Sequence, residues 1–212
     1  MPSTDTNSPR ELRRLRLVIW ALVGLAAVGF AFLLLRPAPT TNAQVQSGLP
    51  NFTLGGPFTL TGSDGKPFSS RQLAGKPYAI FFGFTHCPDV CPNTLARLAG
   101  LRQQLGKGDD SFRIVFVSVD PERDTPEVVG AYTELFGTPV IGLTGTPQQV
   151  AQVAKQHGIY NAKVAQPDQP DGYTLDHGAA VLLYDSMGEF AGTIAQEEQD
   201  APALAKLQRI AA

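Results

Sequence analysis

Two apolar runs decide what this chain can fold into. Tyr78-Ala79-Ile80-Phe81-Phe82-Gly83-Phe84 carries no charge, and Phe112-Arg113-Ile114-Val115-Phe116-Val117-Ser118-Val119 is nearly as apolar. Neither alternates apolar with polar residues, so neither suits a strand with one face in water. Strands of this kind are covered on both faces, as in the parallel centre of an α/β sheet. The chain between them supplies a covering helix, with Leu95, Leu98, Leu101 and Leu105 at helical spacing. Thr125-Pro126 reads as an N-cap followed by proline at the first helical position, opening a helix to about Phe136. Val140-Ile141-Gly142-Leu143 is a short strand. Thr146-Pro147-Gln148-Gln149 repeats the cap with Gln149 completing a capping box, and Gly158 should end that helix.

Hairpins flank this centre. Phe58-Thr59-Leu60 and Lys66-Pro67-Phe68 enclose the turn sequence Gly62-Ser63-Asp64-Gly65. Residues 179–184 and 189–194 read as an antiparallel pair around Asp185-Ser186-Met187-Gly188, and Asp200 as the cap of a last helix to about Ile210. The polar, proline-containing stretch 159–172 is expected to be a loop, long enough to be functional. Right-handed crossovers between parallel strands place helices on both faces of a mixed sheet. The order is a thioredoxin-like α/β pattern with an N-terminal hairpin and a central helix–strand insertion, over residues 49–212.

A different constraint governs the N-terminus. Leu17 to Leu35 is a 19-residue stretch without a charge. As a helix it would span about 28 Å, close to the ~30 Å hydrocarbon core of a bilayer. Arg10, Arg13, Arg14 and Arg16 precede it and only Arg36 follows. The positive-inside rule therefore places residues 1–16 in the cytoplasm, a single anchor at 17–36 and the rest across the membrane. The run is long for a cleaved signal peptide, although Thr41-Asn42-Ala43 is a weak cleavage-like site. Residues 37–48 read as an extended tether.

The whole chain holds 17 Lys+Arg and 19 Asp+Glu. With five Arg, Asp5 and Glu11 lying before residue 37, the exported part keeps 12 basic and 17 acidic side chains. Such a domain has no basic patch for nucleic acid or anionic lipid. Two cysteines exclude a disulfide-rich scaffold.

Those two cysteines carry the chemistry. Both fall in Cys87-Pro88-Asp89-Val90-Cys91-Pro92, after a buried strand and before a helix, where open α/β sheets bind ligands. Pro92 belongs in the first helical turn, so Cys91 is expected at or near the N-cap, where the helix dipole favours thiolate. Residues four apart in a helix have Cα atoms roughly 6 Å apart, which permits a disulfide or a shared soft metal ion. A structural bridge closing so short a loop would stabilise little. His86 adjoins Cys87 but follows a strand, so it need not face the same site. His157, before Gly158, reads as a helix-end residue compensating the dipole. His177 enters the last hairpin, and a thioredoxin-like topology brings that segment beside the cysteines.

Phe82-Gly83-Phe84-Thr85-His86-Cys87-Pro88-Asp89-Val90-Cys91-Pro92 resembles the metal-binding signature of the Sco/SenC family of copper proteins. Val119-Asp120-Pro121-Glu122-Arg123-Asp124-Thr125-Pro126 resembles the family's second signature, and Asp176-His177 with Asp185 and Gly188 its third. Gly178 stands where the family usually has Ser or Thr, and Leu182 where it often has Tyr. The resemblance implies one copper ion, Cu(I) or Cu(II), held by Cys87, Cys91 and His177. It implies a carrier rather than an enzyme, acting in assembly of the dinuclear copper centre of cytochrome c oxidase. Its partners would be the copper-site subunit of the oxidase, an upstream copper donor and a thiol reductant. With the anchor, this places the protein in a bacterial inner membrane with its main domain in the periplasm.

On the residues alone, two thiolates suit Cu(I) and an imidazole extends the range to Cu(II), whereas a structural zinc site normally closes four ligands. Asp124-Thr125 has a plain role in capping the following helix, and Arg123 in pairing a carboxylate. The competing function is thiol chemistry without metal. A disulfide reductase would use Cys87 and Cys91 as a redox-active disulfide, and a peroxiredoxin-like peroxidase would attack with Cys91 and resolve with Cys87.

The charge asymmetry makes the topology testable. A periplasm-active reporter fused at position 100 should be active and a fusion at position 10 inactive; cytoplasmic signal from the position-100 fusion would reverse the assignment.

Overall fold

The computed structural model describes residues 17–20, 22–25, 54–106, 108–167 and 172–212. Of the expected anchor at 17–36, both described stretches are helical, and their large apolar side chains, Trp20 among them, are exposed. Its remainder, the N-terminus at 1–16 and the tether at 37–48 lie outside the described residues. Among the described residues no helix is long and apolar enough to cross a membrane. The chain divides into two units between Pro50 and Asn51, and the second holds every element below.

In chain order these are β1 (Thr59–Gly62), β2 (Pro67–Ser69), β3 (Tyr78–Gly83), α1 (Val90–Gln104), β4 (Arg113–Ser118), α2 (Pro126–Glu134), β5 (Val140–Thr144), α3 (Pro147–Gln156), β6 (Asn161–Ala165), β7 (Tyr173–His177), β8 (Val181–Tyr184), β9 (Phe190–Ile194) and α4 (Asp200–Ile210). Seven strands form one mixed sheet in the order β2-β1-β5-β4-β3-β8-β9. β3, β4 and β5 are parallel, with Phe81 opposite Phe116 and Val115 opposite Ile141. β1 joins β5 and β8 joins β3 antiparallel. The sheet matches the thioredoxin-like mixed α/β expectation.

The apolar runs explain the centre. All six residues of β3 are buried, as are five of the six in β4. Each large side chain buried there stabilises the fold by roughly 1.5–3 kcal/mol. α1 covers them with Leu95, Leu98 and Leu101, while Leu105 lies just past its end. α2 approaches β5 closely at Gly142, where a Cβ would lie 2.6 Å from Val129. Both anticipated caps form: Thr125 accepts from Val128 N–H, and Thr146 and Gln149 make the reciprocal capping box.

Three local expectations change. The stretch 159–172 is not all loop: β6 pairs antiparallel with β7, Asn161 opposite His177, as a separate two-stranded sheet. Asn-Ala-Lys-Val-Ala shows no apolar alternation, and β6 forms because pairing, not burial, satisfies its backbone. At the last helix Gln199 takes the cap position, while the Asp200 carboxylate turns to Arg97 Nε at 2.7 Å. His157 does end α3, but as a buried neutral ring: its Nδ1 donates to the Val153 carbonyl at 2.8 Å, and its ring packs against Phe58, Phe82 and Tyr184. Burial lowers its pKa, so it offers the helix dipole no lasting charge.

The fold places its chemistry at one end of the parallel strands. Because β3, β4 and β5 are parallel, their carboxyl ends emerge together. The cysteine segment follows β3 and the Val119–Thr125 segment follows β4.

Candidate metal centre

After β3 the chain turns at Thr85 and His86, and Cys87 N–H bonds back to the Phe84 carbonyl at 3.3 Å. α1 starts at Val90 with Asp89 at the cap position, so Cys91 and Pro92 both lie in its first turn, Cys91 two positions past the cap. This directs the Cys91 side chain under the end of β3, fully buried, while Cys87 stays partly exposed. The space exists because residue 83 is glycine. A Cβ there would lie 2.7 Å from Cys91 Sγ and 3.1 Å from the Phe81 and Phe116 rings.

His177 ends β7. Its Nε2 lies 3.6 Å from Cys91 Sγ and its Nδ1 3.1 Å from the Gly178 carbonyl oxygen. A carbonyl only accepts, so Nδ1 is the ring nitrogen that donates there, and Nε2 is the one that faces the sulfur. Phe84 and Phe81 flank the ring edge-on, with centroids at 5.7 and 6.1 Å. The ligand atoms of Cys87, Cys91 and His177 all lie within 4.8 Å of one another. Among the described residues they are the one group of three side chains placed to hold a metal ion.

The two sulfurs are unlike. Donation from the adjacent Cys91 thiol, helped by the His177 side chain and the backbone N–H groups of Cys91 and Asp89, pulls Cys87 down to about 3 despite its partial burial. The neighbouring Cys87 thiolate and burial push Cys91 far up. The helix dipole alone favours a thiolate at Cys91, but the two shifts run the other way and favour it at Cys87, the less buried of the two cysteines. A buried, protonated Cys91 does not suit the attacking role of a peroxidase.

The second signature surrounds the site without joining it. Asp124 is fully buried and does not cap α2. Its Oδ2 accepts Thr85 N–H at 2.9 Å and the Ser118 hydroxyl at 2.5 Å, and its Oδ1 accepts the Thr85 hydroxyl at 2.6 Å. His86 Nδ1 lies 3.6 Å from the same carboxyl, so His86 belongs to this support and not to the three-donor group. Arg123 pairs with buried Asp120, as its plain reading implied, and Tyr173 OH donates to Asp120 at 2.9 Å. The third signature splits. His177 reaches the cysteines, but Asp185 and Gly188 shape the β8–β9 turn, where Asp185 accepts the Met187 and Glu189 N–H groups. Gly83, Thr85, Ser118 and Tyr173 went unnoticed as site residues. Only Gly83, the one residue without a side chain in an apolar strand, carried a local signal.

A soft anionic sulfur, a second sulfur and an imidazole nitrogen form a donor set for a thiophilic ion that also accepts nitrogen. Three ligands leave a coordination position for a partner molecule.

A family model described as SCO1/SenC matches residues 46–212. An SCO2-like protein of Rickettsia felis is 35% identical over 174 residues, which is 82% of this chain and 85% of the relative. The mitochondrial protein SCO2 of Saccharomyces cerevisiae is 38% identical over 156 residues, and the chain spans about half of that relative's length, 52%. The solved structure of Bradyrhizobium japonicum ScoI with copper bound is 40% identical, with a TM-score of 0.67 over 74% of this chain and 99% of that one.

The unequal thiols predict unequal alkylation. Because Cys87 is held down to about 3, it is already thiolate throughout pH 5–8, and its alkylation rate should be nearly flat there. An ordinary thiol of pKa ~8.5 would gain about tenfold per pH unit over most of that range. Cys91 should react far more slowly at every pH. Mass spectrometry of timed iodoacetamide reactions reads both, and a steep Cys87 profile would contradict the assignment.

Proposed function

The chain belongs to the SCO1/SenC family, and from that premise we propose that it is a membrane-anchored copper chaperone. It binds one copper ion through Cys87, Cys91 and His177 and delivers it to the dinuclear copper site of cytochrome c oxidase. One observation carries the reading: the ring nitrogen of His177 and the two sulfurs converge within 4.8 Å at the carboxyl end of the parallel strands. The donor chemistry fits copper in both oxidation states, since thiolates favour Cu(I) and imidazole accommodates Cu(II). The copper-bound ScoI structure is of a protein 40% identical to this one, which supports the same choice of ion.

Delivery follows from the asymmetry of the ligands. Cys87 is the accessible sulfur, so an incoming ligand of the acceptor meets the ion from that side. Cys91 is the buried one and leaves the ion last. The copper enters and leaves as cargo, so the chain needs no catalytic residue. The exposed apolar side chains of residues 17–20 and 22–25 and the arginines before them support anchoring through one helix, with the Cys87 domain in the periplasm. The acceptor is then the copper-site subunit of the oxidase, and the chain also needs an upstream copper donor and a thiol reductant.

A second reading has its own observation. A low-pKa, solvent-reachable Cys87 beside a second thiol is also the arrangement of a thiol–disulfide reductant. In that role Cys87 attacks a disulfide of the acceptor's copper site, and Cys91 resolves the mixed disulfide. The acceptor leaves as a dithiol and this chain as the Cys87–Cys91 disulfide. The two roles exclude each other at any instant, because a disulfide sulfur is a poor copper ligand.

Replacing Cys87 or Cys91 with Ser should lower Cu(I) affinity by more than about a hundredfold, as each removes one of two soft donors. His177→Ala should keep most Cu(I) affinity and lose the Cu(II) absorption spectrum. Copper titration of the reduced chain with competing chelators checks both. An unaltered Cu(II) spectrum in His177→Ala would remove His177 from the site. If the oxidised, disulfide form still bound one copper tightly, the shared-sulfur account would fail.

A further inference from the structure

The β6–β7 hairpin carries His177 yet shares no ladder with the main sheet. A two-stranded sheet is marginal by itself, so side-chain contacts must decide where it rests. Tyr173, Leu175 and His177 occupy alternate positions of β7 and therefore share one face. Leu175 on that face is buried, and Asp176 on the other is exposed.

The end of that face opposite His177, about 13 Å away along the strand, is held by a compact polar cluster. Asp120 is fully buried and faces two donors, Arg123 Nε on one oxygen and the Tyr173 hydroxyl on the other at 2.9 Å. The Arg123 guanidinium stacks 4.0 Å above the Tyr173 ring, and its Nη1 donates to the Tyr173 carbonyl at 3.3 Å. β6 is fastened to the same place: Lys163 lies 4.5 Å over the Tyr173 ring and pairs with Glu122 at 2.6 Å. Both strands of the hairpin are thus tied to the segment that follows β4. That same segment holds the cysteine turn through Asp124 and Thr85. It is the common mount of the nitrogen donor and the sulfur donors.

We infer that Asp120, Arg123 and Tyr173 form a latch that positions His177 against the cysteine pair, so that affinity for Cu(II) depends on the latch while affinity for Cu(I) does not. The inference rests on the Cys87, Cys91 and His177 copper reading and adds residues that touch no ligand atom. The sulfurs sit on β3 and α1, outside the hairpin, and two soft donors serve Cu(I) without the imidazole. Cu(II) needs the nitrogen, and the nitrogen needs the hairpin in place. Tyr173 is a positioning residue in this scheme.

The test uses the full 212-residue chain, purified in mild detergent. Tyr173→Phe removes only the hydroxyl that reaches Asp120, and Tyr173→Leu removes the stacking ring as well. Cu(I) affinity is read by chelator competition, and Cu(II) affinity by titration with absorption and electron paramagnetic resonance spectra. The expected result for Tyr173→Phe is a loss of about tenfold in Cu(II) affinity, the size of one hydrogen bond to a charged group. Tyr173→Leu should lose more, with weakened imidazole nitrogen hyperfine structure, and both should keep Cu(I) affinity within about twofold. Equal losses for both ions would mean general damage to the fold and overturn the latch. Unchanged Cu(II) binding in Tyr173→Leu would also overturn it. A wild-type chain that binds neither ion would overturn the copper reading itself, a result distinct from either.

Discussion

One buried carboxyl group, that of Asp124, organises the end of the parallel strands where the chemistry lies. It accepts the backbone N–H and hydroxyl of Thr85 and the hydroxyl of Ser118, while the Asp124 carbonyl accepts the Thr144 hydroxyl at 2.9 Å. These contacts join the ends of β3, β4 and β5. A buried carboxyl is costly unless its oxygens are satisfied, so the arrangement is all or nothing. Loss of one donor leaves the others facing an under-satisfied group. The cysteine turn is therefore held by a polar network and not by apolar packing alone, and Cys87 keeps a fixed place on an otherwise exposed loop.

From that anchoring point the site divides its labour. β3 and α1 supply sulfur, one buried and one reachable, and Gly83 makes room for the buried one. The separate hairpin supplies nitrogen, with the Gly178 carbonyl fixing which ring atom faces inward. Under the proposed copper reading, a SCO1/SenC chain with these donors would grip a soft ion firmly through sulfur and adjustably through imidazole. That division suits cargo better than a resident cofactor, because the firmness of the site can change without unfolding its centre.

Much of this was legible in the residues, for identifiable reasons. The β3 and β4 runs announced a doubly covered sheet because apolar side chains at every position have no other stable environment. Thr125-Pro126 and Thr146 through Gln149 fixed two helix starts because caps act within four residues. Cys87 and Cys91 stood out by spacing, and His177 by the topology that returns it to them. Interactions between segments were hidden. Asp124 looked like a helix cap because its partners, Thr85 and Ser118, come from other elements. β6 looked like loop because Asn161–Ala165 lacks apolar alternation and gains its order from pairing with β7. The helix dipole favours a thiolate at Cys91, yet the neighbouring Cys87 sulfur and burial push that thiol up.

The central claim is that two sulfurs from one turn and one nitrogen from a separate hairpin bind the same ion. X-ray absorption at the copper edge, on the chain loaded with one equivalent of Cu(II), tests it most directly. The account predicts two sulfur scatterers and one imidazole per copper in the wild type, with the imidazole lost in His177→Ala. A coordination shell with no sulfur, or an imidazole that survives His177→Ala, would contradict it.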